Sequence, residues 1–317
     1  MKAALIVDPQ QAPVVSDFAE PVARDGFELI DVTAAALTNL TKARATGGHY
    51  SSSGSVPNIA GIDGVGRTQR GERVYFMMPE PPFGAMAEKT IVRAEQCLPV
   101  PFGVSDVVAA AIANPAMSSL AALKYRAAFK RGETVLINGA TGAAGSVAIQ
   151  LAKAMGALRV IATGRDPQGL ERALRIGADV AIDLTLPPDD LFDEFADQFA
   201  HDGVDVVLDY LFGPSAETMF NAIGTTKNSG KSLRYIEIGN ASGKTASLPG
   251  WVLRSTPIAI MGSGLGSVST KDLIDAVGDA LRAVVPARLE IHTTEVPLAS
   301  VARVWNDATK SRVVISI

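Results

Sequence analysis

The 317-residue sequence contains a single cysteine, Cys97, and only three histidines, His49, His201 and His292. A lone cysteine cannot form an internal disulfide, and the histidines are too far apart to show the paired spacing of a zinc site. The same shortage of cysteine excludes an iron–sulfur cluster. We therefore expect no metal centre built from protein ligands.

A strong excess of charge is also lacking. The chain has 29 Lys and Arg residues against 33 Asp and Glu, a formal net charge of −4, so we expect no long-range attraction to nucleic acid or to an anionic membrane. Apolar stretches such as residues 107–113 fall short of the roughly 18 residues that a membrane span needs. The first residues do not have the pattern of a secretory signal, because Asp8 and Pro9 end a short apolar run. These features predict a cytoplasmic protein.

The hydrophobic pattern changes along the chain. Residues 1–115 contain short strand-like segments separated by glycine and proline, whereas residues 116–285 alternate strands with helices. Such alternation is typical of a doubly wound parallel sheet. Residues 286–317 return to a strand, helix and strand, which we expect to pack against the first segment. The predicted fold is α/β, with one mostly-β domain (1–115 and 286–317) and one parallel-sheet domain (116–285).

The most informative segment is a glycine-rich turn between a predicted strand, Thr134–Asn138, and a predicted helix, Ala143–Met155. Its pattern is A-x-G-x-x-G, formed by Ala140, Gly142 and Gly145. In this strand–turn–helix context the pattern predicts a dinucleotide site, because the backbone can approach a pyrophosphate at the helix N-terminus. The alternative is a tight turn that binds nothing. The candidate cofactor-binding residues of the turn are Thr141, Gly142, Ala143, Ala144 and Gly145.

The end of the next predicted strand, Arg159–Thr163, bears on which cofactor is bound. A site for NADH usually has an acidic residue here that binds the ribose hydroxyls, whereas this chain has Gly164 followed by Arg165. Glycine leaves room for a 2′-phosphate, and arginine can bind a phosphate at two points. We therefore predict NADPH as the cofactor, with Thr163, Gly164 and Arg165 among its binding residues.

The sequence resembles the medium-chain dehydrogenase/reductase superfamily, in its zinc-free NADPH:quinone oxidoreductase branch, the zeta-crystallin-like proteins. The resemblance covers nearly the whole chain and rests on the motifs Asn138–Gly145, Gly71–Tyr75, Ile176–Asp179, Val206–Asp209 and Arg312–Val314. It implies a GroES-like, mostly-β catalytic domain and a Rossmann cofactor-binding domain. It also implies a homodimer paired through an edge strand of the Rossmann sheet, for which the apolar run Ile258–Met261 is suitable.

Zinc-dependent members of this superfamily have a cysteine near position 39, a Gly-His-Glu motif near 61–63 and a four-cysteine lobe. Here these positions hold Asn39 and Gly61-Ile62-Asp63, so we do not expect zinc to act as a Lewis acid. Without a metal or flavin, the acceptor of a hydride must itself be electrophilic. The predicted substrates are therefore small quinones or α,β-unsaturated carbonyls.

The resemblance also implies further site residues. Tyr50 follows Asn39 by eleven residues and matches a tyrosine that lines the pocket or donates a proton in related reductases. Asn39 is a candidate to hydrogen-bond the substrate oxygen or the nicotinamide ribose, unless it only caps a helix. Ser118 matches a threonine near the nicotinamide. Gly239 and Leu265 follow the fifth and sixth strands of the parallel sheet, where open α/β sheets bind ligands.

Two alternative functions remain open. In the first alternative, the protein binds NADPH without catalysing a reaction and has a structural or sensing role. In the second it is a 2-enoyl-thioester reductase, for which Lys42 and Arg44 would form a basic entrance for the phosphate of an acyl carrier. Turnover separates an enzyme from the first alternative, because only an enzyme loses rate on Tyr50→Phe or Asn39→Ala while cofactor binding is retained.

Overall fold

The computed structural model describes residues 1–48, 52, 56–200, 203–226, 231–307 and 311–317. Its strands are β1 (Lys2–Ile6), β2 (Val14–Asp17), β3 (Phe27–Ala36), β4 (Asn58–Ile59), β5 (Asp63–Thr68), β6 (Arg73–Met77), β7 (Lys89–Arg93), β8 (Cys97–Pro99), β9 (Thr134–Asn138), β10 (Arg159–Gly164), β11 (Val180–Asp183), β12 (Val206–Asp209), β13 (Leu233–Glu237), β14 (Ile258–Gly262), β15 (Thr293–Pro297) and β16 (Arg312–Ser316). Its helices are α1 (Asn39–Ala45), α2 (Asp106–Ala121), α3 (Ala143–Ala154), α4 (Pro167–Arg175), α5 (Pro188–Ala200), α6 (Pro214–Thr225), α7 (Val252–Ser255), α8 (Thr270–Ala283) and α9 (Val301–Val304).

The chain divides into two compact units, one of Met1–Asn114 with Val277–Ile317 and one of Pro115–Ala276. The first division falls after Asn114, one residue before the change of sequence pattern after residue 115. The second falls inside α8, whereas the sequence pattern placed it after residue 285. A hydrophobic pattern treats a helix as one element, so it does not reveal that a helix begins in one unit and ends in the other.

The first unit is built on two sheets. Strand β1 pairs with β2 and β4 in a small sheet, and a larger sheet has the order β15-β16-β3-β5-β6-β8 with β7 also paired to β3. The C-terminal strand β16 lies antiparallel to β3, which confirms that the end of the chain returns to its first segment. Residues of β3 and β16, such as Ile30, Val32 and Ile315, share one hydrophobic core.

The second unit contains six parallel strands in the order β11-β10-β9-β12-β13-β14, as the alternating pattern predicts. Successive residues of β9 point to opposite faces of this sheet. Val135 and Ile137 enter one core together with Ile149 of α3, and Leu136 enters the other together with Phe195 of α5. The strand order reverses between β9 and β12. Open α/β sheets bind ligands at the carboxyl ends of strands at such a reversal.

The sequence predicts a helix from Asp106 to about Ala113 with Ser105 as its N-cap. The N-cap is confirmed, since Ser105 Oγ accepts a hydrogen bond from Val108 N at 3.2 Å. The predicted end is wrong, because α2 continues past Pro115 to Ala121 and then forms a π-helical turn. Pro115 lacks a backbone donor, but residues 109–113 on its N-terminal side are fully buried. Burial therefore outweighs the loss of one hydrogen bond.

One helical stretch of the described residues, Asp106–Arg126, is long and apolar enough to cross a membrane by length and composition. However, 72% of its most apolar window is buried inside the protein. A core helix satisfies the same criterion, so this stretch is weak evidence for a membrane span.

A buried charge cluster lies in the larger sheet of the first unit. Asp63 of β5 is 2% exposed, and its Oδ2 accepts a hydrogen bond from the Tyr75 hydroxyl at 2.5 Å. Asp63 Oδ1 and Arg312 Nε are also buried but have no hydrogen-bond partner among the described residues. Burial raises the pKa of Asp63 to about 6, an effect that Tyr75 and Arg312 partly oppose.

The raised pKa of Asp63 predicts a pH-dependent stability. Between about pH 4 and pH 6 the folded protein holds a proton on Asp63 that the unfolded chain has lost, so the free energy of unfolding falls as the pH rises. Over the whole of this pH range, the free energy of unfolding falls by about 3 kcal/mol because of Asp63. We expect the unfolding free energy of the wild type, measured in urea at pH 4, 5, 6 and 7, to fall relative to that of Asp63→Asn as the pH rises. The exposed Asp25→Asn variant is the control, and equal pH profiles for all three proteins would contradict the prediction.

Candidate functional site

The glycine-rich turn joins β9 to α3 near the middle of the parallel sheet. Gly139 has a φ of +88°, which residues with side chains rarely adopt. Gly142 is the N-cap of α3 and supplies no side-chain cap. The first amides of a helix have no acceptor within the helix and lie at the positive end of its dipole. The start of α3 is therefore built as a site that can bind a phosphate group.

Gly142 and Gly145 differ in the space around them. A Cβ atom on Gly145 would lie 2.4 Å from Gly139 O and 2.5 Å from Ala140 Cα, so a side chain there would force the helix away from the turn. A Cβ atom on Gly142 would have Gly139 O as its nearest neighbour, at 3.7 Å, which is an ordinary contact distance. Packing requires the glycine at 145, whereas a Cβ atom at 142 would cause no clash.

Packing also accounts for Gly164, for which the sequence predicted a different role. A Cβ atom on Gly164 would lie 2.3 Å from Thr141 Cγ2. The close packing of Thr141 therefore accounts for a glycine at this strand end. Arg165, the next residue, is exposed. The binding of a 2′-phosphate by Gly164 and Arg165 stays a prediction.

A buried network of polar side chains lies beneath the turn. Asn138, the last residue of β9, is fully buried, and its Nδ2 donates to Asp209 Oδ1 at 2.7 Å and to Ser215 Oγ at 2.9 Å. The Oδ1 atom of Asn138 accepts a hydrogen bond from Thr163 Oγ1 at 2.7 Å. Thr163 Oγ1 in turn accepts one from Gly139 N at 3.2 Å. These bonds link the ends of β9, β10 and β12 to the turn itself.

Asp209 accepts more hydrogen bonds than any other residue of this network. Its Oδ1 also accepts from the backbone amides of Leu211 and Phe212, at 2.9 Å and 3.0 Å, and its Oδ2 accepts from the Tyr235 hydroxyl. Burial, together with the Asp209 charge, raises the pKa of Tyr235 far above its usual value, so Tyr235 remains protonated and donates. Phe212 has a left-handed φ of 55°. The carboxylate therefore holds a strained turn after β12.

Tyr210 was not among the residues singled out from the sequence. It follows β12 at the reversal of strand order, and its hydroxyl lies 2.8 Å from Ser119 Oγ. Burial raises the pKa of Tyr210 to about 12, an effect that the hydrogen bond with Ser119 partly opposes. The neighbouring Ser118 donates its own Oγ to Pro115 O at 2.9 Å. Tyr210 thus connects the end of β12 with the residue next to Ser118, which was expected near the nicotinamide.

The remaining candidates of this unit also lie at strand ends. Gly239 follows β13, and its amide donates to Asp209 O at 3.1 Å. Leu265 lies in the loop after β14, where Arg126 Nε donates to Gly262 O at 2.7 Å. Since β9, β12, β13 and β14 are neighbours in the sheet, the structure brings the turn, Tyr210 and Gly239 to the same edge. Polar residues at the ends of apolar strands were the signal that could have identified Asn138 and Asp209.

The two catalytic candidates belong to the first unit. Asn39 is exposed at the start of α1. The cap of this helix is the neighbouring Thr38, whose Oγ1 accepts a hydrogen bond from Thr41 N at 2.8 Å. The capping role considered for Asn39 is therefore filled by another residue. Tyr50 lies outside the described residues, and its role remains a prediction.

Within the part of the chain that the structure describes, the donor atoms do not suit a catalytic zinc ion. Asn39 and Ile62 replace a cysteine and a histidine, and the Asp63 carboxylate is buried with Tyr75 as its hydrogen-bond donor. Burial raises the pKa of Cys97 to about 12, which keeps its sulfur protonated. Over the described ranges, no group of three or more His, Cys, Asp or Glu residues could hold a metal ion.

Comparison with known proteins agrees with this geometry. The family described as zinc-binding dehydrogenase matches residues 143–279. The probable NADPH-dependent quinone reductase tdiC of Emericella nidulans is 28% identical, over 96% of each chain. The 2-methylene-furan-3-one reductase of Solanum lycopersicum is 31% identical over 61% of this chain, which spans about half (52%) of that relative.

A likeness over the whole chain is found among solved structures. The quinone oxidoreductase of Thermus thermophilus, also described in complex with NADPH, has a TM-score of 0.81, 26% identity and 100% coverage of both chains. The fold of this chain and its glycine-rich turn agree with the resemblance seen in the sequence. Together, these comparisons support the resemblance to the medium-chain dehydrogenase/reductase superfamily, in its quinone oxidoreductase branch.

Proposed function

We propose that this protein is a zinc-independent, NADPH-dependent oxidoreductase that reduces a quinone or an α,β-unsaturated carbonyl. The observation that carries the proposal is the turn between β9 and α3, which is tightly packed at Gly145 and has room for a Cβ atom at Gly142. It lies where the strand order of the parallel sheet reverses. The names of the relatives support the acceptor class, since they describe reduction of quinones and of a methylene-furanone.

The residues at the end of the parallel sheet have distinct roles in this proposal. The amides at the start of α3 bind the pyrophosphate, and Arg165 binds the 2′-phosphate. Tyr210 holds the segment around Ser118 in place through its hydrogen bond with Ser119. When bound, NADPH supplies a hydride. The buried Asn138 and Asp209 contact no cofactor, but they hold the turn in place.

Residues other than those that bind NADPH have to bind the substrate that accepts the hydride. Developing negative charge on its oxygen is stabilised by a hydrogen-bond donor, for which we propose the exposed side-chain amide of Asn39. Tyr50 is proposed to donate a proton or to line the pocket. If the protein instead only binds NADPH, Tyr50→Phe and Asn39→Ala change no rate, because there is none to change.

The proposal is tested by following the absorbance of NADPH under anaerobic conditions with a panel of quinones and α,β-unsaturated ketones. Oxidation of NADPH with one of these classes supports the enzyme. NADPH that binds, as measured by its fluorescence, but is not oxidised by any member of the panel favours the non-catalytic alternative. Protein that neither binds nor oxidises NADPH contradicts both.

Arg165→Gln is expected to raise the KM for NADPH about 10- to 100-fold, because a charge-assisted hydrogen bond to the 2′-phosphate is lost. The KM for NADH should not change, since NADH has no 2′-phosphate. The matched control is Arg175→Gln, which removes an exposed arginine from the last turn of α4. An equal loss with both cofactors would contradict the assignment of Arg165.

We also propose that two copies pair along β14, the edge strand of the six-stranded sheet. Ile260 at the centre of β14 is 38% exposed, and an exposed apolar edge strand favours pairing with a second strand. A monomeric mass in light scattering at micromolar protein concentration would count against this dimer. Residence in the cytoplasm stays a prediction.

A further inference from the structure

The loop that follows β14, residues 263–269, lies at the carboxyl edge of the parallel sheet. It is held together by its own hydrogen bonds. Ser267 Oγ accepts one from Gly264 N at 2.9 Å and donates one to Gly262 O at 3.2 Å. Val268 N donates to Gly264 O at 3.0 Å. The loop is therefore a closed turn with a defined shape.

A side chain from outside the loop holds the point at which it begins. Arg126 Nε donates to Gly262 O at 2.7 Å, although the two residues are 136 positions apart in the chain. Gly262 is the last residue of β14, and a hydrogen bond from a guanidinium is stronger than one between neutral groups. The next residue, Ser263, donates its backbone N–H to Glu237 O of β13 at 2.8 Å. The start of the loop is therefore held both by β13 and by Arg126.

Arg126 itself projects from a rigid part of the second unit. It ends the π-helical turn Ala122–Arg126, whose first two residues are fully buried in the core beside β9. Ala127, the next residue, is also fully buried, and its carbonyl oxygen accepts a hydrogen bond from Arg234 Nη1 of β13 at 2.8 Å. Wide turns of this type occur often at functional sites. Because its backbone is fixed, Arg126 can hold the loop in one place.

The order of the strands indicates which half of a dinucleotide this loop meets. In the proposed function, the pyrophosphate lies at the turn after β9, and the 2′-phosphate of the adenosine half lies at Arg165, after β10. Strand β10 is on one side of β9, whereas β12, β13 and β14 are on the other. Each half of a doubly wound sheet binds one nucleotide. The nicotinamide half therefore extends over the ends of β12, β13 and β14.

We propose that Arg126 is a positioning residue for the nicotinamide half of NADPH. It acts through the loop after β14: by binding Gly262 O it fixes this loop, whose backbone groups then hold the nicotinamide carboxamide. A carboxamide has an acceptor oxygen and two donor hydrogens, which backbone N–H and C=O groups complement. This inference rests on the proposed function, because it takes NADPH as the bound cofactor.

Two substitutions of Arg126 separate its hydrogen bond from its charge. Glutamine carries an amide nitrogen on Cδ, the atom that carries Nε in arginine, so Arg126→Gln keeps a donor at this point and loses the charge. Arg126→Met removes both. We expect Arg126→Met to raise the Kd for NADPH about 10-fold and Arg126→Gln to raise it less than about threefold. If Arg126→Gln binds NADPH as weakly as Arg126→Met, the bond to Gly262 is not what positions the cofactor, and the proposal is overturned.

The second comparison is between NADPH and 2′,5′-ADP, which has the adenosine and the 2′-phosphate but no nicotinamide. Calorimetry measures the binding of both ligands. Arg126→Met should change the Kd for 2′,5′-ADP less than about twofold, because the turn after β9 and Arg165 are unaltered. An equal loss for both ligands would assign Arg126 to the stability of the whole unit and overturn the proposal. Arg175→Met, which removes an exposed arginine of α4, is the control and should match the wild type with both.

A third substitution keeps the proposal testable if Arg126→Met does not fold, which circular dichroism shows. Ser267→Ala removes the second hydrogen bond to Gly262 O and the acceptor of Gly264 N, so it loosens the same loop from within. We expect the same selective loss of NADPH binding. Binding of NADPH and 2′,5′-ADP by Ser267→Ala as tightly as by the wild type would contradict the role of this loop.

These binding measurements keep the inference distinct from the proposed function, because they require no turnover. If the wild type oxidises no NADPH with any acceptor but Arg126→Met shows the selective loss, the reductase fails and the positioning role stands. If the wild type reduces a quinone or an enone but Arg126→Met binds NADPH as the wild type does, the reductase stands and the positioning role fails.

Discussion

Gly145→Val is expected to weaken NADPH binding at least about 100-fold, the scale of effect that a displacement of about 1 Å has on a positioned group. The added Cβ would meet Gly139 O at 2.4 Å and Ala140 Cα at 2.5 Å, so the start of α3 has to move away from the turn. The amides that bind the pyrophosphate move with it. Titration of NADPH fluorescence measures the affinity, and circular dichroism shows whether the variant remains folded.

Gly142→Ala is the matched control for this prediction. Its Cβ would have its nearest neighbour at 3.7 Å, so the free protein should fold and unfold as the wild type does. Weaker NADPH binding by Gly142→Ala with unchanged stability would indicate that a ligand comes close to residue 142. If Gly145→Val binds NADPH as the wild type does, the amides of α3 are not the pyrophosphate site.

Asp209→Ala is expected to lower the free energy of unfolding by about 3–5 kcal/mol. Its carboxylate accepts hydrogen bonds from the Asn138 amide group, from two backbone amides and from Tyr235. All of these donors lose their acceptor together, and buried donors without an acceptor are strongly destabilising. Urea denaturation measures the change. NADPH affinity should fall as well, because the same network holds the glycine-rich turn.

Asp183→Ala provides the comparison. Asp183 also ends a strand of the same sheet, but its Oδ1 accepts hydrogen bonds only from Thr185 among the described residues, and it is not fully buried. We expect Asp183→Ala to lower the free energy of unfolding by about 1 kcal/mol or less. Equal effects of the two substitutions would mean that the network below the turn contributes little beyond a local strand end.

Local sequence patterns predicted the cofactor turn closely. The predicted strand Thr134–Asn138 and the helix start at Ala143 are both observed, because an apolar strand, a glycine-rich turn and an amphipathic helix each have a short-range signature. The end of α2 was less predictable. Its continuation past Pro115 depends on burial by distant parts of the chain, which a pattern of neighbouring residues does not contain.

The site beneath the turn could not be predicted in the same way. Asn138 and Asp209 are 71 residues apart in the chain and become partners because β12 pairs with β9 in a register that places them side by side. Tyr210 meets Ser119 across 91 residues. Each of these residues taken alone resembles an ordinary polar residue at the end of a strand or helix.

The sequence by itself determined the class of fold and the turn that is suited to a pyrophosphate. These properties depend on residue type and on short spacing, both of which are visible along the chain. Only the tertiary structure decided why residue 164 is glycine and which partners bury Asp209. The reason is that strand register and packing bring together residues that are remote in sequence, and their contacts exist only in the folded chain.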